Sequence, residues 1–98
     1  MIVNWTDFAK SRLHKIHDVI AEDSPMAADK TIKRIVKRSK QIGQLPKSGR
    51  EVPEYREPDI REILERPYRI IYRILPTQID VLTVMHYRQL LPESPDIH

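Results

Sequence analysis

Apolar residues recur three or four positions apart through the first half of the chain and closer to every second position later, so helices followed by strands are expected. Ile2-Val3-Asn4-Trp5 is a short apolar start with β propensity, and Thr6 can cap a helix beginning just after it. Phe8, Ala9, Leu13, Ile16 and Ile20 then keep helical spacing, which predicts a first helix from about residue 7 to residue 22. Ser24 directly before Pro25 marks a new helix start, because proline fits the first helical position. Ala28, Ile32, Ile35, Val36, Ser39 and Ile42 form the buried stripe of this second helix, and Lys30, Lys33, Arg34, Lys37, Arg38 and Lys40 take its other positions. The tight turn between the helices makes an antiparallel hairpin, whose apolar stripes need a further layer to cover them.

Residues 43–58 carry Pro46, Gly49, Pro53 and Pro58 and form a long irregular connection, either a functional loop or a spacer from helix to sheet, the spacer being favoured. Two strands come next, 68–75 and 79–87, flanking Pro76-Thr77-Gln78. Pro76 cannot supply positive φ, so the connection is a four-residue loop, 75–78, that pairs Ile74 with Ile79. Unbroken alternation from that pair sets Tyr72, Ile70 and Tyr68 opposite Val81, Thr83 and Met85 on one nearly apolar face. Arg73 then faces Asp80, and Arg69 and His86 become diagonal neighbours on the mixed face, with Tyr87 turned to the apolar one. Residues 59–65 form a third strand, where the uneven spacing of Ile60, Ile63 and Leu64 implies a bulge or an edge position. The expectation is a single α+β domain over residues 1–98 in the order β-α-α-β-β-β. It has a small antiparallel sheet, the N-terminal strand completing it, and the helical hairpin on one face. Residues 89–98 read as a polar tail.

At 98 residues the chain can bury roughly two-thirds of its unfolded surface. It holds no cysteine, which excludes a disulfide framework, a thiolate zinc site and a thiol nucleophile. No apolar run is long enough to span a bilayer and the first residues do not form a signal peptide, so a cytoplasmic domain is expected. Charge is lopsided. Residues 1–50 carry 11 Lys/Arg against 5 Asp/Glu, residues 51–98 carry 6 against 9, and no acid lies between Lys30 and Arg50. An acidic partner or nucleic acid, or else a solvated basic helix face, accounts for this.

Four stretches, in this order and spacing, resemble the RelE/ParE superfamily, the toxin halves of bacterial type II toxin–antitoxin modules. They are Pro46-Lys47-Ser48-Gly49-Arg50, Ile60-Arg61-Glu62-Ile63, Tyr68-Arg69-Ile70-Ile71-Tyr72-Arg73-Ile74 and Val84-Met85-His86-Tyr87-Arg88-Gln89-Leu90-Leu91. The resemblance runs from Val3 to Leu91 and implies a helical hairpin on a small antiparallel sheet, a toxin held inactive by a largely acidic antitoxin, and no cofactor. It leaves two mechanisms. ParE-like members inhibit DNA gyrase, whereas RelE-like members cut messenger RNA in the ribosome. His86 followed by Arg88 and two leucines is similar to the ParE-like ending, and this branch is the expected one.

Metal-free RNA cleavage needs a base for the 2′-hydroxyl, an acid for the leaving oxygen and a cation at the phosphate. Arg69 and His86 are the candidate catalytic pair for that alternative, with Glu51 or Glu54 similar to the loop glutamate of RelE-type nucleases. The candidate partner-binding residues are Lys33, Arg34, Lys37, Arg61, Arg73, Arg88, Leu90 and Leu91. Adjacent leucines in so polar a tail either close the core or meet the antitoxin, and the second is favoured. Trp5 and Tyr72 are expected in the core. His14 and His17 lie three apart on the first helix with no carboxylate clearly placed beside them, His98 is simply the last residue, and no metal site is expected.

Overall fold

Two hydroxyl caps set the helical hairpin in the computed structural model, which describes residues 1–95. Thr6 Oγ1 accepts from the Ala9 amide at 3.1 Å to start α1, Asp7–Ala21. Ser24 Oγ does the same for the Ala27 amide at 3.1 Å at the head of α2, Pro25–Gln44. Residues 96–98, the end of the expected tail, with His98, lie outside the described residues.

Among the described residues five strands make one sheet: β1 Ile2–Trp5, β2 Arg50–Glu51, β3 Ile60–Glu65, β4 Tyr68–Ile74 and β5 Gln78–His86, in the order β1-β5-β4-β3-β2. The α+β class and the order of elements are as expected, with the two-residue β2 added before β3. β1 completes the sheet but runs parallel to β5, while the other pairs are antiparallel. The sheet is therefore mixed, since β1 leads into a helix and has no hairpin to oppose it to its neighbour. β3 holds an even register against β4, so the expected bulge is absent; β2 pairs only with its Arg61 and Glu62, which leaves residues 63–65 in the expected edge position. Its apolar residues alternate poorly because Ile60 and Ile63 pack on opposite faces and both faces are covered.

The irregularity lies in β5. Ile74 pairs with Ile79, Arg73 with Asp80 and Tyr72 with Val81, as the loop length implies; the next pair is Ile71 with Thr83, leaving Leu82 as an extra residue. From there every pair moves by one: Ile70 faces Val84, Arg69 faces Met85 and Tyr68 faces His86. The gain is apolar. Unbroken alternation would put Thr83 in the helix-covered core, whereas the bulge delivers Val84 there. It falls where β1 ends, with the Thr6 amide and hydroxyl both donating to the Val81 carbonyl, at 3.2 and 3.0 Å.

Each sheet face has its own core. Ala9, Ile35 and Ile42 of the helices pack on Ile63, Ile70, Tyr72, Ile79, Val81 and Val84, with Trp5 at the margin donating from Nε1 to Ser39 Oγ at 3.2 Å. On the other face Val52, Ile60, Ile71, Leu82 and Met85 form a second cluster, covered by Tyr55 and Leu91. Residues 43–58 are thus more than a spacer, because they cap this second core. The Tyr72 hydroxyl anchors them, donating to the Pro46 carbonyl at 2.7 Å and accepting from the Gly49 amide at 3.0 Å. Both glycines sit at close approaches: a Cβ on Gly43 would stand 2.6 Å from the Met1 carbonyl oxygen, and one on Gly49 2.5 Å from the Tyr72 hydroxyl. Gly49→Ala should accordingly cost about 1–3 kcal/mol through overpacking. Tyr72→Phe should cost a similar amount, roughly 1–3 kcal/mol, by leaving the Gly49 amide unpaired. Urea unfolding checks both through a lowered midpoint at an unchanged slope.

Candidate functional site

Alternation along β3 and β4 sends Glu62 and Arg69 to the face away from the helices, where both become buried. The Glu62 side chain is 1% exposed and Arg69 9%, whereas Arg50 at the sheet edge is 66% exposed. One oxygen of Glu62 accepts from Arg50 Nε and Nη2 at 3.1 and 2.9 Å, and the other accepts from Arg69 Nη2. A buried carboxylate is tolerated when its oxygens are so occupied. Two guanidiniums share it, which leaves a local positive excess. Glu54, from the loop after β2, approaches Arg69 Nη1 at 3.6 Å, and Arg69 Nε is buried with no hydrogen-bond partner among the described residues. These groups floor a cleft of about 520 Å³, with Leu64, Arg66, Pro67, Tyr68 and Tyr87 completing its walls. A fixed cation beneath an apolar rim suits an anionic group carried on an apolar body.

His86 is not in this cleft. The bulge turns it to the helix-covered side, directly opposite Tyr68, with the two rings edge to face at 6.1 Å. It lines a separate groove of about 290 Å³ with Arg12, Lys15 and Ile16 of α1. Its Nδ1 accepts from the Arg88 amide at 3.1 Å, which assigns the ring proton to Nε2. The expected convergence of Arg69 and His86 on one face is therefore corrected, and the extra residue in β5 is the cause. The same shift brings Tyr87, expected on the apolar side, to the Arg69 cleft.

The other candidate residues divide by exposure. Lys33, Arg34 and Lys37 lie exposed along α2, and Arg34 Nη2 donates to the Arg66 carbonyl at 3.1 Å. Arg61 is drawn inward, with Nη1 donating to the Gly49 carbonyl at 2.9 Å, so it braces the loop. Arg73 stands opposite Asp80 in the register, as expected. Arg88 is exposed, its guanidinium 5.4 Å from the centre of the Tyr87 ring. The two leucines part: Leu90 is 94% exposed, whereas Leu91 packs on the second core and so closes it. His17 does find carboxylates, Asp29 of α2 at 3.1 Å and its neighbour Asp18 at 3.4 Å. Hydrogen bonds to Asp29 first and Asp18 second raise its pKa. Among the described residues no three His, Asp or Glu side chains are arranged to hold a metal ion, and no helix is long and apolar enough to cross a membrane.

Sequence pattern alone assigns no role to Glu62 or Arg50. Their signal is a lone acid between isoleucines in a strand, paired with the arginine that closes the Pro46–Arg50 stretch. Residues 3–91 match the family described as the ParE toxin of the type II toxin–antitoxin system, parDE. The chain belongs to the ParE toxin family. It is 36% identical over 93 residues to the protein named "Putative toxin Y4kP" of Sinorhizobium fredii (strain NBRC 101917 / NGR234), with 93% of each chain covered. A solved chain described as part of a chromosomal ParDE TA system from P. aeruginosa superposes with a TM-score of 0.74 at 28% identity, covering 88% of this chain and 95% of that one.

In this ParE-family chain the Glu62 carboxylate holds two arginines of the cleft. Glu62→Ala should leave the buried Arg69 with only the half-exposed Glu54 as counter-charge and destabilise the fold by about 3–5 kcal/mol. Thermal unfolding of the two proteins at one pH measures this directly.

Proposed function

We propose that this chain is the toxin of a two-protein module, a cytoplasmic inhibitor of DNA gyrase that acts by protein contact and is neutralised by a cognate antitoxin. Membership of the ParE family supports the reading, and the observation that carries it is the separation of Arg69 and His86 onto opposite sides of the sheet. A nuclease built on that pair has its cation in the cleft and its proton-transfer group rooted on the other face, adjoining the cleft only through the Tyr87 ring stacked on it at 4.8 Å. The second reading is a ribosome-dependent endoribonuclease, favoured by Glu54, Arg69 and Tyr87 lining one cleft. Against it, Glu54 rests beside Arg69 as an ion-pair partner, and the exposed basic face of α2 carries no aromatic residue on which bases could stack.

Induced expression in a bacterium separates the two. A gyrase inhibitor produces filamentation and a DNA-damage response while ribosome-bound messages stay intact. Glutamine at position 86 keeps an acceptor for the Arg88 amide but cannot exchange protons as histidine does. His86→Gln should therefore stay toxic, whereas loss of a general acid or base would remove about 10²–10⁴ in rate. Site-specific message cleavage by the wild type, lost in His86→Gln, would establish the nuclease reading instead.

The exposed Lys33, Arg34 and Lys37 form the surface proposed to steer an acidic antitoxin onto the hairpin. Reversing Lys33 and Lys37 to glutamate should slow association and flatten its salt dependence, as stopped-flow mixing at two ionic strengths would read.

A further inference from the structure

The Arg69 cleft has the features of a receptor for a carboxylate. Three guanidiniums line it, Arg50, Arg66 and Arg69, against two carboxylates, Glu54 and Glu62. Glu62 is committed to Arg50 and Arg69 and is inaccessible, so it cannot neutralise both. Glu54 is different. It is half-exposed on a loop, and its 3.6 Å approach to Arg69 Nη1 is longer than a good hydrogen bond. Arg69 Nε, on the same guanidinium, is buried and has no hydrogen-bond partner among the described residues. The site thus holds a buried cation whose Nη1 is covered only loosely, by an acid of the chain itself.

We propose that an acidic side chain of the antitoxin enters this cleft, displaces Glu54 from Arg69 and sets a neighbouring apolar residue against Leu64 and Pro67. This rests on the toxin–antitoxin reading above and assigns that partner a second contact, distinct from the basic face of α2. Three observations fix the occupant as an acidic peptide segment. Glu54 already displays a carboxylate approaching the same guanidinium from the loop. Leu64 is 42% exposed at the rim and supplies apolar surface that a phosphate backbone would not use. Tyr87, which could otherwise stack a base, is already engaged by His86 at 4.8 Å and by the Arg88 guanidinium at 5.4 Å. Glu54 then acts as a built-in competitor. It shields the buried arginine in the free toxin and moves aside in the complex.

A built-in competitor fixes the sign of one substitution. Glu54→Gln removes the competing charge and should tighten antitoxin binding by about two- to fivefold, the range of one exposed ion pair. Leu64→Asp, at an exposed rim position, places a like charge beside the incoming acid and should weaken binding by more than that factor. Titration calorimetry of the purified toxin with its cognate antitoxin reads both. Unchanged affinity in both variants, with the wild type still bound, removes the cleft from the interface and leaves the antitoxin reading standing. Failure of the wild type to bind rejects that reading and this proposal together. A single-stranded RNA decamer that shifts the Arg69 Nε–Hε nuclear magnetic resonance signal in the wild type but not in Leu64→Asp would assign the cleft to nucleic acid and overturn the proposal.

Discussion

One extra residue in β5 decides which side chains of this toxin can act together. A bulge shifts strand pairing by one, and because strand side chains alternate, everything beyond it changes face. Before Leu82 the pairing is the one the loop length dictates; after it, Val84 enters the helix-side core, His86 follows to that side, and Tyr87 joins Arg69 on the other. The exchange places Val84 instead of Thr83 in the helix-side core and leaves Thr83 buried on the other face, and the position of His86 follows from that shift.

The second constraint is the buried carboxylate. Glu62 lies beneath a face that would be open in a two-layer fold of hairpin and sheet. Here the loop containing Val52 and Tyr55 and the chain around Leu91 fold back over that face, and the Tyr55 hydroxyl donates to the Pro92 carbonyl at 2.8 Å. The Tyr72 hydroxyl, reaching the loop from β4, holds its start in place. A loop fixed at both ends presents Arg50 and Glu54 to Arg69, so the charged cleft depends on the same packing that buries the second core.

Much of this is legible in the chain. The caps at Thr6 and Ser24, the helical stripes through Ala9, Ile35 and Ile42, and the pairing of Ile74 with Ile79 obey local rules that tertiary contacts did not override. The bulge is not, because alternation rules assume an unbroken register and Thr83 is only one mildly polar residue in an apolar strand. Its trace is there in Val81-Leu82 and Val84-Met85, two apolar pairs around a threonine, which suit a strand buried on both faces. The cleft is half legible: Arg69 and Glu54 stand out as candidates, but Glu62 reads as an ordinary strand charge until the loop covers it. The second core escapes for the same reason, since a proline-rich stretch gives no periodic signal that it packs on a sheet.

Everything about the placement of His86 and Arg69 rests on the pairing of β4 with β5, which nuclear Overhauser contacts in the free toxin report directly. The shifted register predicts ring-to-ring contacts between Tyr68 and His86 and cross-strand contacts between Ile70 and Val84. Contacts of Tyr68 with Met85 and of Ile70 with Thr83 as direct cross-strand pairs would mean an unbroken strand, return His86 to the side of Arg69 and contradict the separation described above.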